Sequence, residues 1–291
     1  MRSQKFLRDE LRFLTEFNTL FEVIQQAAVA QLRRADEQLT RQPRLAEVLQ
    51  RDYFPLLPPA AKAEFLVHGG TAGRLLVVLT SDEGLAGPLH AGTVRQAMEY
   101  ADSATHWILV GQRGLRFLGP QTGRLRVMPM PADEDAEPQV QRLANAIMVT
   151  FTREQLRDAW LIAPHFLSAA RQTVVAQQLL PLPAPFDFTQ DAARQDLVIE
   201  PSVTRVVEAL AALWVEVLCI ESWWSARRAE FAARALHMES SRQELAKHRK
   251  QLRYEFFKQV HGRVDVMVRE TCVVQRLSAV RASQRTASGR P

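Results

Sequence analysis

Residues 202–238 read SVTRVVEALAALWVEVLCIESWWSARRAEFAARALHM, and they open a segment, 202–283, that has no proline and a single glycine, Gly262. A run without helix breakers over this length predicts one continuous helix of about 120 Å. Ser202 can cap its start, with Pro201 just outside. The helix carries an apolar stripe at helical spacing, formed first by Val203, Val206, Leu210, Leu213, Val217 and Ile220 and then, more sparsely, by Leu245, Leu252, Phe256, Val260, Val264 and Met267.

A second long amphipathic helix is predicted at the other end of the chain, over residues 3–50. Its apolar side chains step by three or four positions. Pro43 is expected to kink or end it, and Pro55, Pro58 and Pro59 exclude any continuation. Residues 238–263 of the last helix are dense in charged and amide side chains, so that half must be solvated or held by a partner. We therefore expect the two terminal helices to pair as an antiparallel coiled coil.

The middle of the chain has a different pattern. Short apolar runs at 74–80, 107–110, 127–130, 159–163 and 174–180 predict strands, and residues 90–100 and 139–151 predict helices. This alternation is typical of an α/β fold with a largely parallel sheet. The predicted organisation is a coiled-coil helix over 1–60, a Rossmann-like α/β domain over 61–200, a second coiled-coil helix over 201–280 and a disordered tail over 281–291.

Composition excludes several classes of protein. The chain has 291 residues with a net charge of +5, which is compatible with an acidic partner. Cys219 and Cys272 have neither metal-ligand nor redox spacing and are expected to be reduced thiols. The N-terminal residues lack the apolar core of a signal peptide, and no apolar run is long enough to span a membrane.

Familiar catalytic and ligand motifs are missing from the sequence. The run TSDEGLAG at 80–87 follows a predicted strand, but it lacks both the G-x-G-x-x-G spacing and the Walker lysine, so tight turns are the favoured interpretation. The histidines are scattered, and no serine lies in a G-x-S-x-G elbow. Asp133, Glu134, Asp135 and Glu137 are expected in a solvated loop, and Trp223 and Trp224 in the packing between helix and α/β domain. We expect no catalytic residue, cofactor or metal ion.

Two basic runs could contact phosphates: Arg33 with Arg34, and KHRK at 247–250. Runs of this kind are usually solvated helical faces, and acidic side chains are mixed in. Two alternatives nevertheless stay open. One is a basic coiled-coil adaptor that binds nucleic acid or another macromolecule, and the other is a nucleotide-binding enzyme that uses residues 81–87.

Several local strings, in order along the chain, resemble those of F-type ATP synthase γ subunits. AQLRRA at 30–35 is similar to their A-K-L-R-R-A, and TSDEGLAG at 80–87 to their T-S-D-x-G-L-C-G. QLLPL at 178–182 looks like their Q-L-L-P-L, and Glu200–Pro201 resembles the pair that opens their last helix. Residues 221–231 follow their E-S-x-x-S-E-x-x-A-R-M in spacing. Departures at 237–240 and 253–261 resemble a divergent branch, the alternate F-ATPases.

The resemblance implies a function without an active site. The chain would be the central rotor shaft of an F1Fo ATP synthase, a non-catalytic subunit that couples transmembrane ion flow to ATP synthesis or hydrolysis in the α3β3 ring. Its implied partners are the α, β and ε subunits and the membrane c-ring, with no nucleic acid and no direct membrane span. The implied location is the cytoplasmic face of a bacterial inner membrane. The coupling ion, proton or sodium, stays open.

The same resemblance implies candidate contacts with β, or with ε and the c-ring. On the helices these are Arg33, Arg34, Lys258 and Gln259. In the α/β domain they are Asp82 and Glu83, within the strand-ending motif.

Overall fold

A computed structural model describes residues 4–41, 45–56, 69–119, 124–182, 198 and 200–287. The helices are α1 (Gln4–Arg41), the short α2 (Leu45–Val48), α3 (Leu89–Tyr100), α4 (Ala136–Arg153) and α5 (Val203–Ala287). The strands are β1 (Ala72–Leu79), β2 (His106–Val110), β3 (Arg124–Met128), β4 (Leu156–Ser168) and β5 (Arg171–Leu180).

The five strands form one sheet in the order β3-β2-β1-β4-β5. Strands β1, β2, β3 and β4 are parallel, and β5 runs antiparallel to β4 at one edge. The central strands β1 and β2 are almost continuously apolar because both of their faces are covered. This is the predicted α/β architecture, with a largely parallel sheet lying between two long helices in the sequence.

The observed elements differ from the predicted ones mainly at their ends. The third strand covers 124–128 and not 127–130, because Pro129 has no N–H for the ladder. Helix α4 starts at Ala136, ahead of the predicted 139, since Pro138 falls in a first turn where its missing N–H breaks no bond. Helix α1 ends at Arg41, before the predicted 50, and a π turn at Leu49–Tyr53 follows α2. Pro43, Pro58 and Pro59 lie outside the described residues.

The chain divides into two compact units, one of residues 1–24 with 238–291 and the other of residues 25–237. Both long helices continue from one unit into the other, so the units do not coincide with the predicted segments, whose boundaries stay a prediction. Within the first unit, Arg263 donates to Gln4 at 3.0 Å and Arg242 lies 3.7 Å from Glu22. Later positions on α1 therefore contact earlier positions on α5, as in an antiparallel pair.

The main core of the larger unit lies on one face of the sheet. Helices α4 and α5 and the end of α1 pack against β1, β2 and β4 there, and the largest buried side chains include Phe54, Phe151 and Phe231. Trp223 and Trp224 belong to this core, with ring centroids 4.5 Å apart, as predicted. On the opposite face a smaller core forms with Val94 and Ala97 of α3.

The last helix begins and ends close to predicted positions. The Ser202 hydroxyl accepts the N–H of Arg205 at 3.4 Å, which is the predicted cap. The backbone stays helical to Ala287, beyond the predicted start of a disordered tail at 281, because no glycine or proline occurs between 281 and 287. Residues 288–291 lie outside the described part. No helix among the described residues is long and apolar enough to cross a membrane.

Candidate functional site at the carboxyl end of the sheet

The strand-ending motif at 80–87 ties three neighbouring strand ends together. Asp82 accepts the backbone N–H of Gln112 at 2.7 Å through Oδ1 and that of Met130 at 2.8 Å through Oδ2. The Thr80 hydroxyl lies 2.8 Å from the carbonyl of Val110 and accepts the N–H of Gly114 at 3.2 Å. The carboxyl ends of β1, β2 and β3 are therefore held by side chains as well as by the ladder.

The serine of this motif joins a buried charged group on α5. Ser81, Arg227, Glu230 and Arg234 are here called the Glu230 cluster. The Ser81 hydroxyl donates to Glu230 Oε1 at 2.6 Å, and Arg227 Nη1 donates to Oε2 at 2.8 Å. Arg234 Nη2 also donates to Oε1. Glu230 is only 2% exposed. The three charge-assisted bonds offset the cost of burying its carboxylate.

The two arginines extend the cluster to other elements. Arg227 Nε donates to Asp133, just before α4, at 2.9 Å. Arg234 Nη1 lies 2.8 Å from Glu83, and its Nε donates to the carbonyl of Gly84 at 3.1 Å. Burial by itself would lower the pKa of Arg227, but the charges of Glu230 and Asp133 raise it above its ordinary value. The cluster thus fastens α5 to the end of β1 and to the start of α4.

A buried histidine, His90 at the start of α3, borders the same region. Neither ring nitrogen has a hydrogen-bond partner among the described residues. Burial lowers the pKa of His90; the charge of Glu230 acts in the opposite direction, and those of Arg234 and Arg113 act with burial. The folded protein therefore favours a neutral imidazole at this position.

The lowered pKa predicts acid sensitivity. A histidine with a depressed folded pKa contributes stability that is complete above its unfolded pKa, near 6.5, and is lost as the pH falls below that value. We expect the free energy of unfolding to fall between pH about 7.5 and 5.5, by no more than about 1.4 kcal/mol per pH unit from this residue. His90→Leu should make urea midpoints less pH-dependent over this range. His248→Leu, on α5, is the control, and an unchanged slope in His90→Leu would contradict the assignment.

The predicted contact residues form three pairs, each of two neighbouring positions in the sequence. Asp82 and Glu83 lie in the strand-ending motif, where Asp82 binds backbone N–H groups and Glu83 pairs with Arg234. Arg33 and Arg34 are exposed on α1 within the larger unit. Lys258, which is exposed, and Gln259, which is partly buried, belong to the other unit. Each pair is already adjacent in the sequence, and the role of all six in partner binding stays a prediction.

Sequence reasoning missed the residues that matter most at this site, namely Arg227, Glu230 and Arg234. Their spacing of three and four positions puts them on one helical face. Charged side chains on a face flanked by Ala229, Phe231 and Ala232 were the available signal, since charge among core-type residues needs a buried partner. The serine that serves as that partner is 149 positions away in sequence.

The arrangement suits mechanical fastening and not proton transfer. Both oxygens of Glu230 accept bonds from cationic or hydroxyl donors, so the carboxylate is not available as a general base. Within the described ranges, no group of three histidine, cysteine or acidic side chains is placed to hold a metal ion. Cys219 is buried, and burial raises the pKa of its thiol to about 12, so it is not a nucleophile at neutral pH.

Comparisons with known proteins identify relatives of this chain. The model of the ATP synthase family matches residues 3–259. The ATP synthase gamma chain of Ralstonia nicotianae is 25% identical over 257 residues, which cover 83% of this chain and 87% of that protein. The gamma chain of Acinetobacter baumannii is 21% identical over 255 residues, with the same coverage of both chains.

Solved structures show the same fold at low identity. A rotor chain of the Euglena gracilis mitochondrial ATP synthase superposes with a TM-score of 0.63 at 17% identity, over 88% of this chain and 96% of that one. A central-stalk chain from Tetrahymena thermophila gives 0.57 at 18%, over 76% and 99%. From the family match over most of its length, the chain belongs to the ATP synthase family, where the relatives it resembles are gamma chains.

Proposed function

We propose that this chain is the γ subunit, the central rotor shaft, of an F-type ATP synthase. It carries no active site and couples transmembrane ion flow to ATP synthesis or hydrolysis in an α3β3 ring of other subunits. Its partners are the α, β and ε subunits and the membrane c-ring. Its place is the cytoplasmic face of a bacterial inner membrane, to which it is attached through those partners.

The observation that carries the proposal is the exposed end of α5. Every residue from 261 to 277 is exposed, although the segment includes Val264, Met267, Val268, Val273, Val274 and Leu277. Apolar side chains in such a row, uncovered by the described part of the chain, mark a surface that another protein covers. A helix end enclosed by a ring of subunits meets this requirement.

The Glu230 cluster supports the mechanical part of the proposal. A shaft transmits torque only if its helix does not slip against the domain that is driven. Buried charge-assisted hydrogen bonds are directional, and those of Glu230 and Arg234 connect α5 to the end of β1. Rotation then shifts the catalytic subunits among conformations by differential contact, with no chemistry on the shaft itself.

The exposed basic residues remain candidates for those contacts. Arg33, Arg34 and Lys258 present charges to solvent, and Gln259 adjoins Lys258 on α5. We propose them as contacts with β. Asp82 is a weaker candidate, because both its oxygens bind backbone N–H groups within the domain. Glu83, although paired with Arg234, is 57% exposed and can still reach a partner.

The test of the function is recovery of the complex. The tagged chain is purified from its native membranes, and the accompanying subunits are identified by mass spectrometry. We expect α, β and ε subunits and an ATPase activity that the isolated chain lacks. Recovery of the chain alone, or with nucleic acid and no α or β, would contradict the proposal and favour a basic adaptor.

Truncation after Gly262 separates assembly from coupling. The residues removed make few contacts within the described chain, so the complex should still assemble and hydrolyse ATP. We expect ATP-driven ion pumping to fall to a small fraction of the full-length value, because the enclosed end of the shaft is lost. Pumping and hydrolysis are measured on the same vesicles, with Arg263→Ala as a full-length control. Pumping at the full-length rate would show that this end has no role.

A further inference from the structure

An apolar cleft with an acidic rim lies between helices α2, α4 and α5, away from the Glu230 cluster. Its volume is about 260 Å³. The floor is formed by aliphatic side chains that include Val140 and Val217, and Leu45 and Leu213 at its mouth are themselves about two-fifths exposed. A cleft of this kind has room for one large side chain of a partner.

Three carboxylates line the cleft: Glu137 from α4 and Glu216 and Glu221 from α5. Among the described residues, no lysine or arginine lines it, and the ion pairs formed by the neighbouring arginines Arg227 and Arg228 do not include any of the three. A local excess of acidic side chains is unexpected, because the chain as a whole carries a net charge of +5. The rim is therefore a concentration of negative charge that the described chain leaves uncompensated.

One rim carboxylate, Glu221, is partly buried. Burial raises the pKa of Glu221, the N–H of Ala46 opposes this by donating to the carboxylate, and the charge of Glu47 adds to the increase. A cation placed here would remove the repulsion among the carboxylates. It would also gain more from each ion pair than at a fully exposed surface.

We propose that this cleft docks a basic amphipathic segment of a neighbouring subunit, which inserts a lysine or arginine side chain beside an aliphatic or aromatic one. The aliphatic stem of the inserted residue packs on the apolar floor, while its charged end reaches the rim. One kind of segment therefore fits both the apolar floor and the acidic rim of the cleft. The inference rests on the proposed function only in requiring that the chain work inside a multi-subunit complex.

The test uses the assembled complex. The photoreactive residue p-benzoylphenylalanine replaces Leu213 at the mouth of the cleft, the purified complex is irradiated, and crosslinked peptides are identified by mass spectrometry. We expect a crosslink to one segment of another subunit that carries a lysine or arginine within a helical turn of the attachment point. The double variant Glu216→Gln with Glu221→Gln should lower the yield about threefold or more.

Two controls test whether the charge of the rim carboxylates sets the crosslinking yield. Glu208→Gln alters an exposed carboxylate on the same helix outside the cleft and should leave the yield unchanged. High salt should lower the yield in the protein with native carboxylates, which tests the charge contribution without any variant that could disturb folding. A salt-independent yield would overturn the charge pairing.

Other outcomes also decide the question. A crosslink only to residues 57–68 of the same chain, or none at all in an intact complex that hydrolyses ATP, would overturn the docking inference and leave the proposed function standing. Purification of the chain with no ATP synthase subunits would overturn the proposed function itself.

Discussion

Glu230→Gln is expected to destabilise the protein by about 3 kcal/mol, at the lower end of the about 3–5 kcal/mol that follows removal of one partner from a buried ion pair. The substitution keeps the shape of the side chain but removes its charge. Arg227 and Arg234, both buried, then lose the anion that lies between them. Their outer partners, Asp133 and Glu83, are more exposed and compensate for only part of the loss.

Urea unfolding followed by tryptophan fluorescence measures this change, because Trp214, Trp223 and Trp224 lie in the core that α5 shares with the sheet. The matched control is Glu208→Gln, an exposed position on the same helix, which should change the free energy of unfolding by less than about 0.5 kcal/mol. If Glu230→Gln changed it by no more than the control, the cluster would not be what fastens α5 to the sheet.

Gly111→Ala is the second substitution with a large expected effect. Gly111 follows β2 with φ +88°, a conformation that side chains with a Cβ rarely adopt. An added Cβ would also lie 2.6 Å from the backbone nitrogen of Ser81. Backbone strain of this kind costs about 1–3 kcal/mol, and the contact with rigid backbone adds to it, so we expect a loss of about 3 kcal/mol.

The loss should extend to the site, because the surrounding backbone cannot move without breaking bonds. Gly111 donates to the carbonyl of Met128 at 2.8 Å, and Thr80 and Asp82 bind the adjacent backbone. Thermal and urea unfolding report the size of the effect. Gly92→Ala is the control, since Gly92 lies within α3 with open space around it and should gain about 0.5–1 kcal/mol. Equal effects at the two positions would rule out this account of Gly111.

Prediction of the elements from sequence succeeded where the signal was local. The apolar runs of β1 and β2 and the periodic stripes of α1 and α5 depend on neighbouring residues alone. Most errors fell at the ends of elements: β3 stops before Pro129, and α4 starts early with Pro138 in its first turn. The short helix α2 and the π turn after it were not predicted. The order β3-β2-β1-β4-β5 was not predicted, because an apolar run does not specify which strand it pairs with.

At the candidate site, too, the local signals were predictable from the sequence and the long-range pairing was not. The motif at 80–87 is predicted to be a tight turn that ends a strand, and the contact of Asp82 and Glu83 with partners stays a prediction. In the folded chain Asp82 binds the N–H groups of Gln112 and Met130, which are 30 and 48 positions away. Whether a carboxylate serves the interior or the surface depends on which donors reach it, and that is decided only when the strands have been brought together.

By itself, therefore, the sequence determined two long helices, an α/β middle and a resemblance to γ subunits, because helix periodicity, strand composition and local motifs are properties of contiguous residues. Only the tertiary structure decided that Ser81 and Glu230 meet at 2.6 Å and that three carboxylates surround an apolar cleft. Burial and charge compensation depend on distances between residues far apart in the chain, and those distances exist only in the folded state.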